Sequence, residues 1–478
     1  MNAVHPLPAP LSRFRLPPQP GQLEQIMDKA MRAWQRRCRL MADQGATLNA
    51  LRVMDTQLEQ CVVALSLDLA GADRLLLARI DEARAQGAGE LAEWVFLRCA
   101  LAIQCRPAEL PRWLDAELLE HPDEVRDALL FYPVPSSLLP ERNDHILPFI
   151  KRQPSDCFPL WVELIGRRTL HERRGTLLQA QQAQPLAAPV HLALLRLGIF
   201  NDASEAFVRH ALAHGSAPLQ VQALQLVGMS GRRRLYRWGE GLLQSTHPPL
   251  QDLAWALHAL DQPRRAVETA LAWGIAPAGA GQAKAGAGRL PESIGWRVLA
   301  LGGHLAGLMA ACRCITAQAG PVTGLQRDLL RLTLGQIPPA LLQKPKLAEP
   351  KQQALRELML QALRRAFVPL QNSADTAPWS LAAWASDPGR AAELRLREGR
   401  PQGVSSQPAA LAAFPAFPAV LPELSQALRQ WLYFERAHAT QQPFAVDAAD
   451  LARHQDDAAM LVELVCELNA GGASTAPH

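Results

Sequence analysis

The sequence predicts an all-α protein, an α-solenoid of stacked antiparallel helix pairs with an extra C-terminal helical block, and three observations carry that prediction. First, 21 valines, 11 isoleucines and 12 threonines make up only 44 of the 478 residues. The dominant residues are instead Leu, Ala, Gln, Glu and Arg, which lose little rotamer freedom in a helix. Second, Pro159, Pro189, Pro218 and Pro249 recur at intervals of 30, 29 and 31 residues. Third, each proline opens an apolar run at helical spacing: Leu160 and Leu164; Val190, Leu194 and Leu197; Leu219, Ala223 and Leu226; Leu250, Ala254 and Leu257. A β-rich fold is excluded by the scarcity of β-branched residues.

Taken in order, residues 1–20 hold six prolines without helical periodicity and read as a disordered leader. Residues 21–88 read as an N-terminal helical cap, its first helix starting near Gln22 and the stretch 48–83 breaking into two helices around Gly71. The solenoid proper is expected over 89–275, beginning with less regular copies at Gly89–Leu119 and Pro122–Ile150. Proline suits the first turn of each leading helix, where its missing N–H has no partner and its fixed φ fits. Gly166, Gly198 and Gly228 fall where those helices should end in a left-handed residue. The returning helices are expected at Thr169–Gln181, Ala203–His214, Arg233–Gln244 and Arg264–Trp273. A Gly/Ala-rich loop occupies 276–290, and helical repeats continue over 291–371, with helices after Pro291 and over His304–Arg313, Val322–Gly335 and Lys351–Phe367. A proline-rich low-complexity segment with no evident core follows at 372–422. Helices return over 423–470.

Composition also bounds function. Net charge is +4, and 43 of the 49 basic residues are Arg, so the basic excess is too small to mark a nucleic-acid protein. The eight cysteines are scattered without a CxxC pair and read as reduced, mostly buried thiols of a cytoplasmic protein. The N-terminus lacks the apolar run of a secretory signal. The longest uncharged helical stretch, Val298–Cys312, is too short to span a membrane, so no membrane insertion is expected.

Chemistry-bearing patterns fall short in turn. The glycines around Lys284 lack the preceding strand and the GK[ST] that a phosphate loop needs. His210 and His214 share a helix face but have no third ligand nearby. His171 and Glu172 do not open an HExxH, and Ser230 in GMSG lacks the spacing of a nucleophile elbow. No residue is therefore assigned a catalytic, cofactor-binding or metal-ligating role, and neither an enzyme nor a cofactor is expected.

What remains is a candidate partner-binding surface. Arginines accumulate at the turns between paired helices: Arg167 and Arg168; Arg232, Arg233 and Arg234 with Arg237; Arg264 and Arg265. In a stack these align into a basic ridge, which reads as a solvated edge, as a dock for an acidic protein surface, or as a phosphate contact with nucleic acid. Most tryptophans, Trp94, Trp113, Trp161, Trp238, Trp255, Trp273 and Trp296, fall in helices and read as core. Trp379 and Trp384, with Phe414 and Phe417, lie in the proline-rich segment and are candidates for a stretch that orders on a partner.

The 30-residue pairs resemble short HEAT-like repeats. The segments LNALRVMDTQLEQCVVALSLDLAGADRLLLARIDEA at 48–83 and LRQWLYFERAHATQQPFAVDAADLARHQ at 428–455 resemble a group of proteobacterial HEAT-repeat proteins often encoded near type VI secretion components. That resemblance implies a non-catalytic scaffold or adaptor, an accessory or effector-loading factor whose partner is another protein. HEAT-like folds also resemble bilin lyases and alkylpurine DNA glycosylases. The alternative is therefore a HEAT-like enzyme or a nucleic-acid-binding protein; a glycosylase would need a basic concave groove with an exposed tryptophan and an acidic residue.

Overall fold

The computed structural model describes residues 20–42, 45–87, 90–105, 158–167, 170–273, 290–304, 307, 308, 311, 315, 322–335, 395–397, 400–402, 418–448 and 455. Residues 1–19 of the expected leader, the expected helical stretches at 107–119, 122–150 and 351–367, most of that at 304–313, the loop at 276–289 and the end of the last block lie outside them, while Pro20, read as the end of the leader, opens the first helix. The protein is helical as expected, with one short antiparallel hairpin, β1 (Arg395–Arg397) paired with β2 (Arg400–Gln402), inside the proline-rich segment. It divides into two compact units, Met1–Asp43 with Ala50–Leu170 and Gln44–Asn49 with His171–His478. The stretch 89–275, read from sequence as one stack, contributes to both.

The first unit contains α1 (Pro20–Ala42), most of α2 (Leu48–Ser66), α3 (Leu69–Gln86), α4 (Leu91–Cys105) and α5 (Phe158–Arg167). Trp34 of α1 stacks on Phe96 of α4 at 3.5 Å between ring centres. Two largely buried ion pairs tie these helices together, Arg37–Asp55 at 2.6 Å and Arg98–Asp73 at 3.1 Å. Helices α2 and α3 separate at Leu67–Asp68 rather than at Gly71, because the Asp68 carboxylate accepts from the Gly71 N–H and caps α3. Cys61 and Cys99 are buried, whereas Cys38 is exposed.

The second unit holds α6 (Arg174–Ala183), α7 (Ala188–Arg196), α8 (Asp202–His214), α9 (Ala217–Ser230), α10 (Arg233–Tyr236), α11 (Pro248–Asp261), α12 (Pro263–Trp273), α13 (Glu292–Gly302), α14 (Gly324–Leu334) and α15 (Gln426–Thr440). Pro189, Pro218 and Pro249 each sit in the first turn of their helix, as the proline register requires. The leading helices α7, α9, α11 and α13 pack each on the next, α12 packs against both α11 and α13, and α8 packs along α9 with its Phe207 ring stacked on His191 of α7. The returning helices are less regular than their sequence suggests. A 3₁₀ turn (His171–Arg173) precedes α6, and the predicted helix over 233–244 is one α-turn followed by a 3₁₀ stretch, Arg237–Leu242.

Two of the three expected terminating glycines act otherwise. Gly198 does take a left-handed φ of 77°, but Gly166 and Gly228 lie inside α5 and α9. Gly228 is a contact residue: a Cβ there would stand 2.7 Å from Cγ of Phe434 on α15. The helix ends three residues later at Gly231, φ 69°, where a Cβ would meet the Ala437 carbonyl oxygen at 2.4 Å. Helix α15 thus lies directly on α9, and it also packs on α11 and α13.

A buried polar network joins α6, α7 and α8. His191 Nε2 lies 2.9 Å from the Pro185 carbonyl, which can only accept, so Nε2 carries the proton and Nδ1 accepts from Gln181 Nε2 at 3.0 Å. Asn201 donates to Gln181 Oε1 and caps α8 by accepting from the Ser204 N–H. Burial pushes His191 and His258 below the usual imidazole range, and burial with the neighbouring Arg233 holds His438 at about 4.

Two outcomes follow. Gly228→Ala gains about 1 kcal/mol of helix propensity but overpacks Phe434 at a cost of about 1–3 kcal/mol; chemical denaturation should show net destabilisation, relieved by Phe434→Leu. For the histidines, a folded pKa below the unfolded value of about 6.5 means that the unfolded chain binds more protons. Their contribution is complete above that pH and is lost as pH falls below it, towards about 4 for His438. Buried Asp252 and Asp328, whose pKa values are raised, act in the opposite sense, so the comparison is made against His438→Asn. That variant should lose less of its unfolding free energy than the parent between neutral and mildly acidic pH.

Candidate interaction surface

The predicted arginines do not share one environment. Arg167, in the last turn of α5 in the first unit, is largely buried and paired with Glu163 one turn back at 3.1 Å. Arg168, Trp379 and Trp384 lie outside the described residues. Arg264 and Arg265 are exposed on the first turn of α12, where Arg264 pairs with Glu268 at 2.9 Å and Arg265 donates to Gln262 at 3.2 Å.

The cluster at 232–237 is different. Gly231 turns the chain out of α9, and the tight α-to-3₁₀ helix that follows puts residues four apart on one side. Arg233 and Arg237 point one way: Arg233 donates to the His438 carbonyl at the end of α15, where a cation suits the helix dipole, and Arg237 pairs with Asp261 at 3.1 Å. Arg234 and Trp238 take the neighbouring side and meet α8. Arg234 pairs with Glu205, which Arg209 also approaches at 3.8 Å, and the Arg209 guanidinium lies 5.4 Å from the centre of the Trp238 ring. Arg232, just before α10, is exposed.

The sequence reading missed Glu205 and Arg209 and placed Trp238 in the core. It is half-buried, packed against the core at its edge and with its ring beneath a guanidinium. The spacings Glu205–Arg209 and Arg234–Trp238 are both i,i+4 and were visible. That α8 meets α10 and the 3₁₀ stretch after it, bringing them together, was not. The outcome is one carboxylate, 16% exposed, shared by two guanidinia that remain 71% and 70% exposed. The cluster carries surplus positive charge with its donors held in place.

A second surface, the face of the leading helices α9, α11 and α13, is occupied. Trp431 of α15 is fully buried there and donates its indole N–H to Asp252 of α11 at 3.3 Å. Asp252 also pairs with Arg297 of α13 at 2.7 Å, and Arg297 lies 5.1 Å from the Trp431 ring centre. Burial pushes the Asp252 carboxyl up, opposed by Arg297 and by the indole N–H. In the first unit, Lys29 of α1 with Arg52, Val53, Thr56, Gln57 and Gln60 of α2 line a shallow groove of about 440 Å³.

Among the described residues no group of three or more His, Cys, Asp or Glu side chains is placed to hold a metal ion, and no helix is long and apolar enough to cross a membrane. These features define the class: an all-α protein of successively packed helices that carries an Arg/Trp cluster on its surface. No protein-family model, curated protein or solved structure matches the chain.

Proposed function

We propose that the protein is a protein–protein interaction scaffold or adaptor of the cytoplasm, built as an α-solenoid of HEAT-like pairs and serving as an accessory or effector-loading factor of a type VI secretion system. The observation that carries the scaffold reading is the successive packing of α7, α9, α11 and α13, each connected to the next through a returning element in the chain. Such quasi-linear stacking creates extended surfaces suited to holding another chain. The secretion role rests on the resemblance carried by residues 48–83 and 428–455.

The glycosylase-like alternative draws no support from the face of α9, α11 and α13. There Trp431 of α15 is fully buried and bonded to Asp252 of α11, so neither forms an exposed tryptophan with an acidic residue beside it.

The test is affinity purification of the tagged protein from its native cell, with mass spectrometry and an untagged control. Secretion spike, sheath or effector proteins are expected to be enriched. Recovery of nucleic acid as the main partner, or of nothing above the control, overturns the reading.

A further inference from the structure

Resting on the scaffold reading, we infer that Arg209, Arg234 and Trp238 form the docking point for an acidic segment of a partner protein. A binding hot spot needs donors whose orientation is already fixed, because immobilising a long side chain on association costs free energy. Here Arg234 is hydrogen-bonded to the Glu205 carboxylate, and Arg209, 3.8 Å from the same carboxylate, is seated over the Trp238 ring. Each arginine carries five N–H donors, and most of those on Arg209 and Arg234 stay in solvent, able to fork onto incoming carboxylates. Trp238 supplies a half-buried aromatic surface beside them, and Trp and Arg together are the residues that most often dominate interface energetics.

Charge selects the partner. Glu205 answers two arginines, and exposed Arg232 lies nearby on the same turn, so the local balance is positive. The positive field is also short. Asp261 pairs with Arg237, Glu268 pairs with Arg264, and exposed Glu240 adds negative charge on the 3₁₀ stretch. A duplex backbone needs a longer unbroken basic track, whereas a patch of this kind matches a few carboxylates on one helix or loop.

The inference is tested on the full chain by fluorescence anisotropy at low ionic strength. The probes are a short helical peptide with glutamate along one face, the same peptide with glutamine, and a short DNA duplex. The variants are Arg209→Glu with Arg234→Glu, the milder Arg209→Gln with Arg234→Gln in case charge reversal disturbs folding, and Arg264→Glu with Arg265→Glu as a control of equal charge change. Wild type should bind the glutamate peptide in preference to both other probes. That binding should weaken about tenfold or more in the 209/234 variants and Trp238→Ala, and by less than about threefold in the 264/265 control. No binding of the glutamate peptide, equal loss in the control, or tighter binding of DNA overturns the inference. If the 209/234 variant still recovers the wild-type partners from the cell, the docking point is wrong while the scaffold reading stands.

Discussion

Helix α15 is buried on two sides at once, and the second unit is organised around that fact. On one side Trp431 and Phe434 press into α9, α11 and α13. Burying a tryptophan that covers 150–250 Å² contributes about 4–6 kcal/mol of transfer free energy. Its indole N–H must also find an acceptor, and Asp252 supplies one while pairing with the buried Arg297. On the other side Arg429 is completely buried and donates to the carbonyls of Ala46, Leu424 and Ala448 and to Gln455 Oε1. Gln455 in turn accepts from the Tyr433 hydroxyl. One helix therefore ties together the short 44–49 segment, the row of leading helices and the chain that follows it. Buried charge of this kind adds little net stability, because desolvation offsets much of the attraction. Removing one member leaves its partners unsatisfied, which favours a single arrangement over many.

The same arrangement decides which surfaces are available. A row of stacked leading helices would ordinarily offer its face to a partner, but in this protein the chain's own α15 takes that place, with Phe444 N–H bonded to the Met229 carbonyl just beyond it. Hydrogen bonds from Arg331 to the Glu423 carbonyl and from the Ser425 N–H to Asp328 fix the segment that leads in. The docking point proposed above lies instead on the returning side, where α8 and the 232–242 turn carry the Arg209, Arg234 and Trp238 cluster. The first unit adds a shallow groove lined by Lys29 and Arg52, too open to hold a small molecule tightly.

Much of the helix order was legible in the sequence, for a local reason. Proline in a first turn is read from one residue and the apolar spacing that follows, and Pro189, Pro218 and Pro249 all fall there. The failures came where a residue answers to something distant. Gly228 looked like a terminator because glycine often is one, whereas its role is to admit the ring of Phe434, 206 positions further along the chain. The 233–244 stretch reads as helix from its apolar spacing, but Gly239 and Gly241 weaken its helix propensity, and it runs as one α-turn and a 3₁₀ stretch that brings Gly239 against Leu224 and Ala254. The surface followed the same rule. The arginine runs were plain, but the carboxylates they meet, Glu205 and Asp261, are 29 and 24 residues away, and nothing local names them.

Helix α15 is a structural member of the row it covers and not a detachable segment lying on it. Native-state hydrogen exchange tests this directly, because amides within one cooperative unit open together. The amides of Trp431–Phe434 are expected to exchange with the same free energy and denaturant dependence as those of Leu253–Leu257 in α11, reporting a single opening event. Exchange of the α15 amides through a separate, lower-energy opening while α11 remains protected would contradict it.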